Sequence, residues 1–209
     1  MVERRIYLVR HLKTKFNESG VNIGRAFDPD IIHMDEYIKA FRNRVRKISD
    51  NFGINSTKAL ILTSPLRRCT RTAEILGEEL GINNIEVMNE LVETDMGEFS
   101  GKNAKELRRE FGSLVDKWMF QPEDFMFPNG ESYKQVRSRV RMVSDKLKGE
   151  YLDYDSTFLC THVDIIKMLL SEILGFPFNS RMNISVPNGS VSVVFLTKDR
   201  GFTIESINA

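Results

Sequence analysis

Ile6-Tyr7-Leu8-Val9 runs without a break into Arg10-His11. A short apolar run rich in β-branched and aromatic residues reads as a strand buried on both faces. This one delivers a cation and an imidazole at its carboxyl end. Similar runs follow at Ala59 to Leu62, Phe158 to Cys160 and Val191 to Leu196, and Ile85 to Leu91 and Phe202 to Ile207 add two more strand candidates. Between them apolar residues recur at alternating spacings of three and four: Met34, Ile38, Phe41, Val45, Ile48, Phe52; Cys69, Ala73, Leu76, Leu80; Tyr133, Val136, Val140, Val143, Leu147; and Ile166, Leu169, Leu170, Ile173. That spacing is the stripe of an amphipathic helix. Strands alternating with helices require crossover connections, so the expected fold is α/β: a three-layer α/β/α sandwich around a mostly parallel sheet. Lys198-Asp199-Arg200-Gly201 between the last two strands reads as a hairpin turn that makes the sheet mixed.

The stretch from Gly97 to Gly130 breaks this rhythm and reads as a small inserted cap over one end of the sheet, within a single domain spanning residues 1–209. Its Trp118, Phe120, Phe125 and Phe127 either line an entrance or pack onto the sheet. At 209 residues with 41% apolar and 28% charged residues, the chain has the composition of one globular domain. A chain of this size buries roughly 70% of its unfolded surface, so it needs neither disulfides nor a structural metal.

Thirty Lys and Arg stand against twenty-nine Asp and Glu, a net charge of +1. That balance supplies no broad basic field for nucleic acid or an anionic membrane, so any anion must be held locally. No apolar run approaches the roughly 18 residues that span a bilayer. Two distant cysteines, Cys69 and Cys160, and a charged start without an apolar signal core predict a reduced, cytoplasmic protein. A homodimer is compatible with the sequence, which does not reveal oligomeric state.

Ligands of open α/β sheets sit beyond the carboxyl ends of the parallel strands. There, Val9 leads into Arg10-His11, Leu62 into Thr63-Ser64-Pro65-Leu66-Arg67-Arg68, and Cys160 into Thr161-His162. Two of three histidines thus occupy equivalent positions, joined by arginines where strand ends meet helix starts. This is a cationic pocket suited to a phosphate, because a phosphoryl dianion repels a nucleophile until cations neutralise its equatorial oxygens. A neutral imidazole can attack phosphorus, and a carboxylic acid can protonate the departing oxygen. Glu90, Glu93, Asp95 and Glu98 all lie at or just beyond the end of the Ile85 to Leu91 strand candidate, and the residues alone do not choose among them.

Taken together, these segments resemble the histidine phosphatase superfamily, also called phosphoglycerate mutase-like. Arg10-His11-Leu12-Lys13-Thr14-Lys15-Phe16-Asn17 is similar to its Arg-His-Gly-Glu-Thr-x-x-Asn, and Ser64-Pro65-Leu66-Arg67-Arg68-Cys69-Thr70-Arg71-Thr72-Ala73 to its Ser-Pro-Leu-x-Arg-Ala-x-x-Thr-Ala. Leu91 to Gly101 resembles the acid-bearing segment, Asn129-Gly130-Glu131-Ser132 the Gly-Gly-Glu-Ser before the last catalytic strand, and Thr161-His162 the closing Ser-His-Gly. The five matches come in the family's order from Arg10 to about Ser190. The resemblance implies that His11 is the phosphoryl acceptor and that Arg10, Arg68 and His162 cradle the phosphate with Asn17 assisting. It also implies that Glu93 is the general acid and then base, and that no metal or other cofactor takes part.

Three positions depart from the pattern: Leu12 and Val163 replace glycines beside the two histidines, and Lys13 replaces an acid. Side chains there could narrow the pocket or change which N–H groups reach an oxyanion. Lys13 reads equally as an extra cation or a solvated residue. His33 reads as structural, Cys69 and Cys160 as small core residues, and Arg67, Arg71, Arg108 and Arg109 as surface residues. Gly97 to Asn103 is one residue short of a P-loop and lacks its Ser/Thr, and no dinucleotide fingerprint follows a strand.

The function implied is a metal-independent phosphomonoesterase acting on a small phosphorylated metabolite through a phosphohistidine. The alternatives are a cofactor-dependent phosphoglycerate mutase, a catalytically silent phospho-ligand-binding module motivated by Leu12 and Val163, and, more distantly, a metal-centred hydrolase built on His11, His162 and Asp164. Mutase relatives carry Glu-Arg-His-Tyr-Gly around the acid, where this chain has Glu93-Thr94-Asp95-Met96-Gly97.

Overall fold

In the computed structural model, which describes residues 3–120 and 122–209, the first strand β1 (Arg4–Arg10) lies near the middle of a mixed six-stranded sheet. The other strands are β2 (Ala59–Thr63), β3 (Ile85–Val87), β4 (Ser156–Thr161), β5 (Val191–Thr197) and β6 (Gly201–Ser206), in the order β3-β2-β4-β1-β5-β6. β1, β2, β3 and β4 are parallel, whereas β5 runs antiparallel to β1 and β6 antiparallel to β5. The mixed α/β architecture expected from the strand-helix alternation is the one observed.

Alternation along the strands explains the two cores. Ile6, Leu8, Leu60, Leu62, Leu159 and Val194 point to one face, against α6 (Tyr133–Gly149) and α7 (Val163–Leu174). Tyr7, Val9, Ile61, Phe158, Cys160 and Val193 point to the other, against α2 (Asp35–Phe52) and α3 (Arg67–Leu80). A period of two cannot bury every residue unless both faces are covered, and here they are.

The strand expected over Ile85 to Leu91 stops at Val87. β3 is an edge strand that pairs only with Ile61, Leu62 and Thr63 of β2, and the chain then turns through a 3₁₀ segment at Asn89–Leu91. The last strand likewise begins and ends one residue early, at Gly201 and Ser206. Two helical segments lie between Gly97 and Gly130, α4 (Ala104–Phe111) and α5 (Ser113–Met119). The aromatic residues of this stretch join the core on the α6 side of the sheet: Phe99, Phe125 and Phe127 are buried and pack against one another and Tyr133, and Trp118 donates its indole N–H to the Tyr133 hydroxyl at 2.9 Å. Phe120 is the exception, 80% exposed. A one-turn helix, α1 (Lys15–Glu18), follows β1 and had no legible periodicity.

Candidate active site

His11 is the first residue past β1, and its backbone continues the sheet: its N–H donates to the Thr161 carbonyl at 3.0 Å, and its carbonyl accepts from Gly189 N–H and the Asn188 side-chain amide. The ring is fixed as well. Nδ1 lies 2.7 Å from the Leu12 carbonyl, which can only accept, so Nδ1 carries the proton and Nε2 keeps its lone pair. Burial, then the guanidinium groups of Arg68 and Arg10, lower its pKa well below the ordinary range, so the imidazole is neutral at physiological pH.

His162 leads β4 into α7, at the N-cap position, and is fully buried. Its ring lies 5.3 Å from that of His11, centroid to centroid, at an interplanar angle of 60°. Nε2 is 2.8 Å from the Ser64 hydroxyl and 3.3 Å from the Cys69 thiol. Burial and the neighbouring Arg68 keep this imidazole neutral too. Cys69 therefore does more than fill a core: it backs the second histidine, with burial pushing its thiol pKa well up so that it stays protonated.

Arg68, in the first turn of α3, is 1% exposed. Its Nη1 and Nη2 donate to the carbonyls of Phe27 and Gly24 at 3.1 and 2.9 Å, and Nε has no partner among the described residues. Arg10 donates through Nη1 to the Val186 carbonyl and likewise leaves Nε unpartnered. Each guanidinium is thus oriented by backbone carbonyls and keeps donors in reserve. Asn17 is oriented in the same manner: its Oδ1 accepts from Thr14 N–H, the Thr14 hydroxyl and the Asn188 amide, which leaves its own amide N–H groups for a ligand.

The four acids separate cleanly. Glu90 pairs with Lys146 at 2.7 Å, Asp95 with Arg25 at 2.9 Å, and Glu98 accepts from Asn129 at 2.6 Å. Glu93 makes no ion pair among the described residues. It is 5% exposed, with Oε1 accepting from Thr94 N–H at 2.9 Å. Burial first, and then the charge of Asp164, push its pKa up to about 8 against the opposing pull of Arg68 and Arg10. The shift favours the protonated form, which is the form a proton donor requires.

The backbone around Glu93 is clamped. Arg139 of α6 donates to the carbonyls of Glu90 and Val92 at 2.9 and 2.6 Å and to Glu131, while Glu131 accepts from Asp95 N–H at 2.9 Å. The Thr161 hydroxyl ties the Leu91 carbonyl to β4 at 2.7 Å. Gly97 has φ of +48°, and a Cβ there would stand 1.9 Å from the Pro128 carbonyl oxygen; one on Gly130 would stand 2.5 Å from the Asp95 carbonyl oxygen. The Asn129-Gly130-Glu131-Ser132 motif therefore locks against the acid-bearing loop, with no role in contacting a phosphate required of it.

The departures from the family pattern are accommodated. Leu12 donates its N–H to the Thr72 hydroxyl at 2.9 Å and buries its side chain with Phe41, in the core under α2. Val163 packs against the opposite core. Lys13 lies 3.4 Å from Glu18 and 5.5 Å from the Tyr37 ring centroid, a surface arrangement. His33 is half exposed, 3.6 Å from Asp30. Sequence reasoning missed Asn188 and Arg139, which touch backbone and carry no motif. It weighed Asp164 only as a metal ligand and did not consider Lys167. Among the described residues no group of three or more His, Cys, Asp or Glu side chains is disposed to hold a metal ion.

A model of the histidine phosphatase superfamily, branch 1, matches residues 6–209. The chain belongs to that superfamily. Phosphoserine phosphatase 1 of Hydrogenobacter thermophilus is 23% identical over 203 residues, 96% of this chain and 90% of that one. The 2,3-bisphosphoglycerate-dependent phosphoglycerate mutase of Methylobacterium radiotolerans is 33% identical over 144 residues, 66% of this chain and 64% of its own. Among solved structures, the alpha-ribazole phosphatase of Shigella flexneri superposes with a TM-score of 0.82 at 22% identity, covering 98% of this chain and 96% of that one. No helix among the described residues of this histidine phosphatase is long and apolar enough to cross a membrane.

Proposed function

We propose that this chain is a metal-independent phosphomonoesterase of small phosphorylated metabolites, with His11 as nucleophile, Glu93 as acid and base, and Arg10, Arg68, His162 and Asn17 holding the phosphate. The carrying observation is the pairing of a neutral imidazole, whose bare Nε2 is fixed by the Nδ1 contact to Leu12, with a buried, protonated Glu93. The phosphatase names of several relatives support hydrolysis as the outcome.

In the first step His11 Nε2 attacks phosphorus, the ester P–O bond breaks, and Glu93 delivers its proton to the departing alkoxide. Arg10 and Arg68 offset the charge on the equatorial oxygens. In the second step water attacks phosphorus, Glu93 carboxylate takes its proton, and the P–N bond breaks to release inorganic phosphate and restore His11. The segment from Gly97 to Gly130 supports Glu93 from one side in the manner of a cap, and the two cysteines, free in the structure, fit a reducing cytoplasm.

The test is phosphate release from a panel of phosphomonoesters, including 4-nitrophenyl phosphate and 3-phosphoglycerate, in chelator. Turnover by the wild type that falls by at least about 10³-fold in His11→Ala is the expected result. Phosphate or vanadate binding without turnover would reassign the chain to a binding module. Isomerisation of 3-phosphoglycerate without net phosphate release would make it a mutase, and inhibition by chelator would make it a metal enzyme.

A further inference from the structure

Asp164 lies in the first turn of α7, two residues beyond His162, and is 9% exposed. Among the described residues its carboxylate takes part in no hydrogen bond and no ion pair within 4.0 Å, and Oδ2 is sealed from solvent. A carboxylate removed from water is costly until a cation or hydrogen-bond donor reaches it. Its surroundings belong to the site: its charge acts on Arg10 at the end of β1, Glu93 on the acid loop, Tyr133 at the start of α6 and Arg181 on the 3₁₀ turn Phe178–Asn183. Arg181 is taken up elsewhere, stacked 3.8 Å from the Phe178 ring centroid and donating to the Phe178 carbonyl.

Lys167 stands three residues further along α7, on the same face, half-buried. It too makes no hydrogen bond or ion pair among the described residues, and its charge acts on the same set, Asp164, Arg10, Arg181 and Glu93. Aspartate and lysine three apart on a helix ordinarily close on each other. Here they stay more than 4.0 Å apart, two opposite charges presented separately at the start of the helix that His162 caps.

We infer that Asp164 and Lys167 form the leaving-group subsite, and that the substrate is a phosphate monoester whose alcohol carries both an ammonium group, received by Asp164, and a carboxylate, received by Lys167. This rests on the phosphatase reading above. A leaving group with neither charge leaves the Asp164 carboxylate desolvated and unpaired, which is a penalty against the wrong substrate as much as a reward for the right one.

The experiment compares kcat/KM for O-phosphoserine (both charges), phosphoethanolamine (ammonium only), 3-phosphoglycerate (carboxylate only) and 4-nitrophenyl phosphate (neither) in wild type, Asp164→Asn and Lys167→Met. Expected is a wild-type preference for O-phosphoserine. In Asp164→Asn the ratios of O-phosphoserine and phosphoethanolamine to 3-phosphoglycerate, an alkyl ester that makes the same demand on Glu93, fall about tenfold or more. In Lys167→Met the ratios of O-phosphoserine and 3-phosphoglycerate to phosphoethanolamine fall instead; this side chain is only partly buried, so the arm stands even where Asp164→Asn weakens the fold. Ratios that move together across all four esters, or a wild type indifferent to the two charges, would overturn the subsite. Absence of His11-dependent turnover of 4-nitrophenyl phosphate in the wild type would instead overturn the phosphatase reading beneath it.

Discussion

The two halves of the site are built by different means. His11, His162 and Arg68 hang from the sheet itself or from the first turn of a helix leaving it, so their backbones are ordered by ladder hydrogen bonds that run through the whole molecule. Glu93 hangs from a loop with no ladder. It is placed by side chains, chiefly Arg139 and Glu131, and by two glycines that let the Asn129-Gly130 turn approach the backbone of Asp95 and Gly97. His11 is therefore as rigid as the core, whereas Glu93 is as rigid as a set of polar clamps; under the proposed mechanism, damage to the clamps should slow proton transfer in both chemical steps while the cradle still binds phosphate.

The sharpest way to expose this is Glu93→Gln, which leaves the cradle intact and removes only the proton. We expect kcat/KM, which reports the phosphoryl-transfer step, to fall about 10² to 10⁴-fold for alkyl phosphates, with much less loss for aryl phosphates whose leaving oxygen needs no proton; equal losses of kcat/KM for both ester classes would remove Glu93 from the role of acid. The same variant reads out in stability. A native carboxyl with a raised pKa binds more protons than its unfolded form, so its contribution is complete below the ordinary carboxylate range and is lost as pH rises toward about 8. Urea titrations should show wild-type stability declining across that window, and the decline should shrink in Glu93→Gln.

Gly97→Ala attacks the clamp. A left-handed backbone and the near overlap with the Pro128 carbonyl should cost about 1–3 kcal/mol in urea unfolding and lower kcat as Glu93 is displaced. Wild-type behaviour in both would show that the turn adjusts freely. Arg139→Met strands the Glu90 and Val92 carbonyls, a loss of about 1–3 kcal/mol, and should reduce kcat more than KM while vanadate affinity, a property of the cradle, holds. Arg25→Ala, which removes a half-exposed partner of Asp95, should change stability by no more than about 1 kcal/mol, measured in the same titration. If it rivals Arg139→Met, the ranking of buried over exposed clamps is wrong.

The same contrast explains what could be read from the sequence. A buried strand announces itself by composition, and its end is one residue later, so Arg10-His11 and Thr161-His162 were placed correctly from apolar runs alone. Glu93 was not singled out in that way: its neighbours Glu90, Asp95 and Glu98 are chemically alike, and what distinguishes them in the structure is that they engage Lys146, Arg25 and Asn129. Family resemblance supplied the choice that periodicity could not. β3 was overextended because Met88 and Leu91 are buried beyond the edge of pairing, and an apolar alternation does not reveal whether a neighbouring strand is there to receive it. Asp164 and Lys167 were obscured differently, being an acid and a base three apart on a helix, the commonest pattern of a solvated face.

The interlock of Gly97 with the Asn129-Gly130 turn also has a meaning for how this chain can change. It brings the two ends of the intervening 32-residue excursion into backbone contact, through the Pro128 carbonyl accepting from Glu98 N–H at 2.9 Å and the Asp95 carbonyl accepting from Glu131 N–H at 2.9 Å. The stretch holding α4 and α5 is thus sewn shut at its base, like a pocket stitched to a coat. Insertions, deletions or wholesale exchange between Lys102 and Pro122 can reshape this stretch without shifting Glu93, provided the replacement brings side chains to fill the places of Leu107, Phe111, Val115 and Trp118. The seam makes this stretch a separately exchangeable part of the chain.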